Sequence, residues 1–191
     1  MPYDPPMPTH VALLRGINVG GRNKVAMADL REVVRSLGHT EVATYVTSGN
    51  VVLTAGSDAG PAALAADLER AIAEALGVAP AVIVVPREAF TRIVAANPYP
   101  EPDDLRQVHV LFRAEDPSDD EVAAVAAAQE AAADAGSRDE ARFVGCTLYL
   151  HTPGGFGRSR LAELLSRGPA LSTATARNLR TVLRLQAMLE G

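Results

Sequence analysis

Of the eighteen basic side chains in this 191-residue chain, seventeen are arginine and one is lysine, Lys24. It closes the run Arg15-Gly16-Ile17-Asn18-Val19-Gly20-Gly21-Arg22-Asn23-Lys24. An ammonium is a compact charge that can lose its proton when buried, whereas a guanidinium stays charged. Where composition leans so far toward Arg, a lone Lys in a Gly- and Asn-rich loop is a candidate for a chemical task. The glycines let backbone N–H groups turn toward an anion, and a helix starting after the loop adds positive dipole. That is phosphate or carboxylate chemistry. The spacing matches neither G-x-G-x-x-G nor the Walker pattern, so it carries no nucleotide motif. A plain connector whose glycines supply positive φ would read the same way.

Two further polar runs stand out. Thr47-Ser48-Gly49-Asn50 lies between two strand-like segments and fits a hairpin turn with or without a function. Near the C-terminus, Gly154-Gly-Phe-Gly157-Arg158-Ser159-Arg160 precedes Ser172-Thr173-Ala-Thr175-Ala-Arg177-Asn178-Leu-Arg180-Thr181. A final helix is expected from about Thr173 to Leu189, capped by Ser172 or Thr173. Arg177 would then sit near the first turn, where the macrodipole opposes a cation. A bound anion would relieve that conflict, and so would a salt bridge to the acidic middle of the chain. Other catalytic candidates are thin. Cys146 has no histidine or helix start beside it, and His10, His39, His109 and His151 stand singly. The loop hydroxyls lack a paired base. Asp103/Asp104 and Asp119/Asp120 read as linker and helix-start residues. No metal, cofactor or reaction follows from these residues.

The positioning elements can be read from periodicity. His10–Arg15 is an apolar strand, and Leu30, Val33, Val34 and Leu37 recur at helical spacing before Gly38. Val42–Val46 and Val51–Thr54 are strands, a helix carries Leu64, Leu68, Ile72 and Leu76, and Ala81–Val85 is a strand. This β-α-β-β-α-β order is the split plait of ferredoxin-like domains. After a helix at Glu88–Ala96 comes the proline-rich stretch 97–104. The second half reads as strand Gln107–Phe112, helix Asp119–Ala135, strands Arg142–Val144 and Thr147–Leu150, then two helices. The expected class is α+β with two subdomains: the plait, and a βαββαα variant ending in a long helix. Residues 1–8 read as a disordered leader, 9–98 as the first subdomain with its following helix, 99–104 as linker and 105–191 as the second subdomain.

Hydrophobic residues make up 48% and charged residues 21% of the chain, a globular composition. No apolar run reaches membrane-spanning length, no secretory pattern opens the chain, and one cysteine forms no internal disulfide. A cytoplasmic monomer or small homo-oligomer is expected. The net charge of −5 is uneven: residues 101–140 carry −9, while residues 141–191 carry +5. The acidic middle argues against broad nucleic-acid binding.

The motifs Arg15-Gly16-x-Asn18-x-Gly20-Gly21, Asn23-Lys24, Met27, Tyr45, Ser48-Gly49-Asn50-Val51, Asn97-Pro98 and Thr175-x-Arg177-Asn178-x-x-Thr181-Val182 together resemble the family of domain of unknown function 1697. Its members are bacterial proteins with no established activity. The resemblance runs from about Thr9 to Leu185 and implies a compact α+β fold of two subdomains, the first ferredoxin-like. The family motifs coincide with the polar loops rather than with the apolar stripes. Two positions depart: Ser159-Arg160 stands where the family has Ser-Lys, and Leu179 where an aromatic follows the Arg-Asn pair. With Arg at 160, Lys24 is the only amine left to act as base or Schiff-base residue.

The resulting expectation is an anion pocket between the two halves. Arg15, Lys24, Arg160 and Arg177 would supply charge, Gly20, Gly21 and Asn18 backbone and amide donors, and Ser48, Asn50 and Asn178 orientation, with Gly16, Asn23, Gly49, Ser159 and Thr175 as further ligand-binding residues. The partner would be a small phosphate or carboxylate, with Lys24 the best catalytic candidate if a reaction follows. Two rivals stand beside it. A single-strand nucleic-acid module needs exposed aromatics on central strands, of which the first half offers only Tyr45. A ligand-free interaction protein would pair its arginines with carboxylates of residues 101–140.

Overall fold

A buried strand needs apolar side chains on both faces, and Val11-Ala12-Leu13-Leu14 meets that need, all four residues being buried. They form the middle of β1 (His10–Arg15) in a computed structural model that describes residues 7–168 and 171–191. Then come α1 (Met27–Ser36), β2 (Thr40–Tyr45), β3 (Asn50–Thr54), α2 (Pro61–Leu76), β4 (Ala81–Pro86) and α3 (Arg87–Ala95). The first sheet is antiparallel in the order β2-β3-β1-β4, the ferredoxin-like arrangement expected. Ala12 and Leu14 pack with Leu30, Val33 and Val34 of α1 and with Leu64, Leu68 and Ile72 of α2. Those helix residues recur every three or four positions, so each helix turns one stripe to the sheet.

The second half contains β5 (Val108–Phe112), α4 (Asp119–Asp134), β6 (Glu140–Val144), β7 (Thr147–His151), α5 (Arg160–Ser166), β8 (Thr175–Asn178) and α6 (Leu179–Glu190). Its sheet runs β6-β7-β5-β8, again antiparallel. Leu111, Leu148 and Leu150 meet Val125 and Ala132 of α4 and Leu161 and Leu165 of α5. This corrects the expected βαββαα order: the second unit is a full βαββαβ plait followed by a helix. The residues expected to open the final helix form β8 instead, with Arg177 opposite Val110 and Thr175 opposite Phe112. Thr-Ala-Arg-Asn lacks an apolar alternation, so the strand is invisible to a hydrophobicity pattern. Its alternation is in burial, with Thr175 and Arg177 inside and Ala176 outside. The dipole conflict proposed for Arg177 therefore does not arise.

The chain divides into two compact units, Met1–Arg92 with Arg184–Gly191, and Ile93–Leu183. The division falls within α3 and α6, whereas the sequence places it at the proline-rich stretch. That stretch is tied into the second unit. The Asn97 carboxamide donates to and accepts from the backbone of Tyr99, and Asp104 forms a capping box with Gln107. The Tyr149 hydroxyl donates to the Ile93 carbonyl at 2.6 Å. Of the expected leader, residues 1–6 lie outside the described residues, while the Met7 carbonyl accepts a hydrogen bond from Thr54 Oγ1 at 3.2 Å. No helix among the described residues is long and apolar enough to cross a membrane.

Two glycines with positive φ separate conformational from steric demand. Gly49 (φ +81°) leaves no room for a Cβ, which would sit 2.7 Å from Leu14 Cβ, whereas Gly77 (φ +68°), closing α2, has open space around it. Gly77→Ala should cost only the left-handed penalty, about 1–2 kcal/mol. Gly49→Ala adds overpacking of about 1–3 kcal/mol against a buried strand. Urea denaturation of the two variants should therefore show the larger loss for Gly49→Ala.

Candidate functional site

In the first unit, the run after β1 folds on itself as a miniature hairpin. The Asn18 N–H donates to the Asn23 carbonyl at 3.0 Å, the Arg22 N–H donates to the Val19 carbonyl at 3.1 Å, and Val19 bridges to Arg22. Gly20 and Gly21 take the two central positions at φ +58° and +78°, the signature of a type I′ turn. Asn18 and Asn23 also have positive φ, which asparagine tolerates better than most residues.

The Asn18 side chain is committed to the backbone. Its Oδ1 accepts from the Val25 N–H at 2.9 Å, and its Nδ2 donates to the Val25 and Thr47 carbonyls at 2.9 and 2.8 Å. Asn23 Nδ2 holds the Gly16 carbonyl at 2.9 Å. Buried Asn50 donates to the Tyr45 carbonyl and to Ser48 Oγ, shaping the β2–β3 turn, in which Val46 is held at φ +50°. These asparagines build the loops. They do not reach outward.

What the loops frame is a depression of about 430 Å³, lined by Asn18, Gly21, Lys24, Val25, Ala26, Met27 and Thr47. Its floor is the N-terminus of α1, where Ala26 is the cap residue and no side chain accepts from the first amides. Asp29 stands in that first turn. Lys24 is exposed, and among the described residues no carboxylate lies within ion-pair distance of its amine. Arg15 ends β1 with an exposed side chain. Thr47, Val25 and Met27 complete the lining. Of these, Met27 carried a sequence signal as part of the family motif and Thr47 as the first residue of the hairpin run, while Val25 carried none.

The other expected residues belong to the second unit. Ser159 is buried and caps α5: its Oγ accepts from the Ala162 N–H at 2.9 Å and donates to Asp139 at 2.8 Å. Arg160 is exposed and paired with Glu163 at 2.6 Å. Asn178 Oδ1 accepts from the Thr181 N–H at 2.9 Å at the start of α6. Thr175 and Arg177 are buried side by side on β8, and Thr175 Oγ1 has no hydrogen-bond partner among the described residues. Burial pushes the Arg177 pKa down to about 10, so it stays charged at neutral pH, and it donates to the Ala176 carbonyl at 2.8 Å. The expected set is thus distributed over two units. Lys24, Asn18 and Gly21 share one depression.

A family model described as protein of unknown function (DUF1697) matches residues 7–149. The chain belongs to this family. Among solved structures it is similar to a conserved bacterial protein from Streptococcus pneumoniae, with 26% identity and a TM-score of 0.71. The match covers 96% of this chain and 99% of the other. No curated protein matches the chain. The α+β fold expected from the family resemblance is therefore shown across the 96% of the chain that this match covers.

His109, on β5, was read from sequence as an isolated histidine. Its ring lies 4.3 Å from that of Phe156, its Nδ1 is buried without a partner among the described residues, and burial pushes its pKa down to about 4. The imidazolium is disfavoured in the fold but not in the unfolded chain, where the pKa is about 6.5. The resulting stability is complete above pH 6.5 and lost as pH falls toward 4, about 3 kcal/mol over that window. Denaturant unfolding at pH 7 and pH 4 should show this loss in the wild type and a smaller one in His109→Phe.

Proposed function

We propose that this protein binds a small molecule bearing a phosphate or carboxylate group at the depression over the N-terminus of α1. The observation that carries the reading is the Lys24 amine, without a carboxylate partner among the described residues, beside helix amides that no side chain caps. Helix N-terminal amides point along the axis toward such a ligand, and the dipole favours negative charge there. Gly21, in the lining, adds a backbone amide outside the turn's own hydrogen bond, which runs from Arg22 to Val19. Asn18 contributes by rigidity: it locks both walls, so the amides are preorganised and little ordering is required on binding. Asp29 in the first turn opposes a dianion somewhat, which favours a ligand held close to Lys24.

The rivals find less support. β1 and β3 read HVALLR and NVVLT, with no aromatic on which a base could stack, and Val11, Leu13 and Val52 are buried. Tyr45 lies at the end of β2, an edge strand. Arg113–Glu121 and Arg106–Asp104 are internal pairs with the acidic middle, while the candidate Arg160 pairs with Glu163, outside that segment.

The test is thermal or denaturant stability with inorganic phosphate. Binding to the native state at ten times Kd adds about 1.4 kcal/mol. The wild type should gain this, Lys24→Arg should keep most of it, and Lys24→Ala should lose it. Equal stabilisation of wild type and Lys24→Ala by phosphate, or none in either, overturns the reading.

A further inference from the structure

The connection from β7 to α5 borders another depression, of about 440 Å³, lined only by residues of the second unit. That volume lies within the roughly 300–1,000 Å³ typical of small-molecule pockets. Its wall is pinned. Gln107 Nε2 donates to the Pro153 carbonyl at 3.0 Å, and Thr152 donates to the Gln107 carbonyl through its N–H at 2.8 Å and its Oγ1 at 3.1 Å. The Gly155 N–H closes the turn onto the Thr152 carbonyl at 2.8 Å.

Three groups on this wall remain available, and His109 backs one of them. Arg158 is exposed, and among the described residues it has no carboxylate partner; Arg106, by contrast, is held by Asp104 through both Nε and Nη2. Asn178 spends its Oδ1 on the Thr181 N–H, leaving its Nδ2 donors without a protein acceptor among the described residues. Phe156 is 38% exposed, a large apolar ring open to solvent. His109 stacks against that ring while its Nδ1 stays buried and unpartnered among the described residues. A guanidinium binds a phosphate through paired N–H donors, and an exposed aromatic face takes a flat ring. The unused amide donors of Asn178 favour a ring with a polar edge, since a hydrocarbon would leave them unpaired.

We propose that this depression is a second ligand site, separate from the Lys24 loop, for a phosphate ester carried on a flat heteroaromatic ring, of which a mononucleotide is the simplest kind. The ring lies against Phe156, and the phosphate meets Arg158. The site does not depend on the Lys24 reading, because the two depressions share no residue.

The experiment is a titration followed by aromatic ¹H–¹³C NMR, in which four phenylalanines and four histidines keep the spectrum resolvable. The probes are adenosine 5′-monophosphate, adenosine and ribose 5-phosphate. Saturable shifts of Phe156 and His109 are expected with the nucleotide, about tenfold or more tighter than with either fragment. Arg158→Ala should weaken the nucleotide by a similar factor while leaving adenosine unchanged, and Lys24→Ala should change neither. Arg158 is exposed, so the variant folds, and its unshifted distant resonances will verify that. The proposal is overturned by an absence of saturable shifts at Phe156 and His109, by either fragment binding as tightly as the nucleotide, or by Arg158→Ala having no effect. Loss of these shifts in Lys24→Ala overturns the separateness of the two sites.

Discussion

The carboxamide of Asn18 ties together three backbone segments that the chain reaches at different times. It pins Val25 immediately before α1 and reaches across to the β2–β3 turn at Thr47, while the backbone N–H of the same residue closes the hairpin after β1 onto Asn23. β1 and β2 both pair antiparallel with β3, so they run in the same direction and their C-terminal ends meet at one end of the sheet. One short side chain can therefore bridge both. Val25 and Thr47 both line the Lys24 depression, so this clamp fixes the gap between its walls. A carboxylate at the same position could accept from Val25 but could not donate to the two carbonyls, so the amide is specifically required.

The two units share strand order and direction but elaborate different connections. In the first, the β1–α1 connection grows into a hairpin with a cation at its foot. In the second, the equivalent β5–α4 connection is closed by the Arg113–Glu121 ion pair and by a capping box on Ser118. The backbone and side-chain hydrogen bonds of Ser118, together with the Arg113 guanidinium, hold the Glu121 carboxyl below its ordinary range. A helix start satisfied in this way has no vacancy for an external anion. The second unit opens instead at the other end of its sheet, where β7 and β8 finish beside the start of β5. One fold has thus been left open at opposite ends in its two copies.

Much of the candidate site was legible as residue types and little of it as roles. Lys24 stood out because arginine fills every other basic position, and it does line a depression. The asparagines were read as ligand donors, yet their hydrogen bonds go to backbone. Asn, Ser and Gly look alike in sequence whether they shape a loop or face a guest, because both tasks use the same polar groups. His109 reads as a lone histidine and Phe156 and Arg158 as part of a separate polar run, since nothing in their spacing brings a residue of β5 to a loop that follows β7.

Periodicity along the chain determined the first plait, because each of its strands and helices carries an apolar pattern matched to its own geometry. Local chemistry also set the helix stops at Gly38 and Gly77 and the capping box at Ser118. Only the tertiary structure decided β8, whose inward residues are a threonine and an arginine: a polar four-residue segment becomes a strand because the free edge of β5 supplies its hydrogen-bonding partner. The same holds for where the chain divides. A boundary depends on which segments pack together, and a run of prolines says only how the backbone bends.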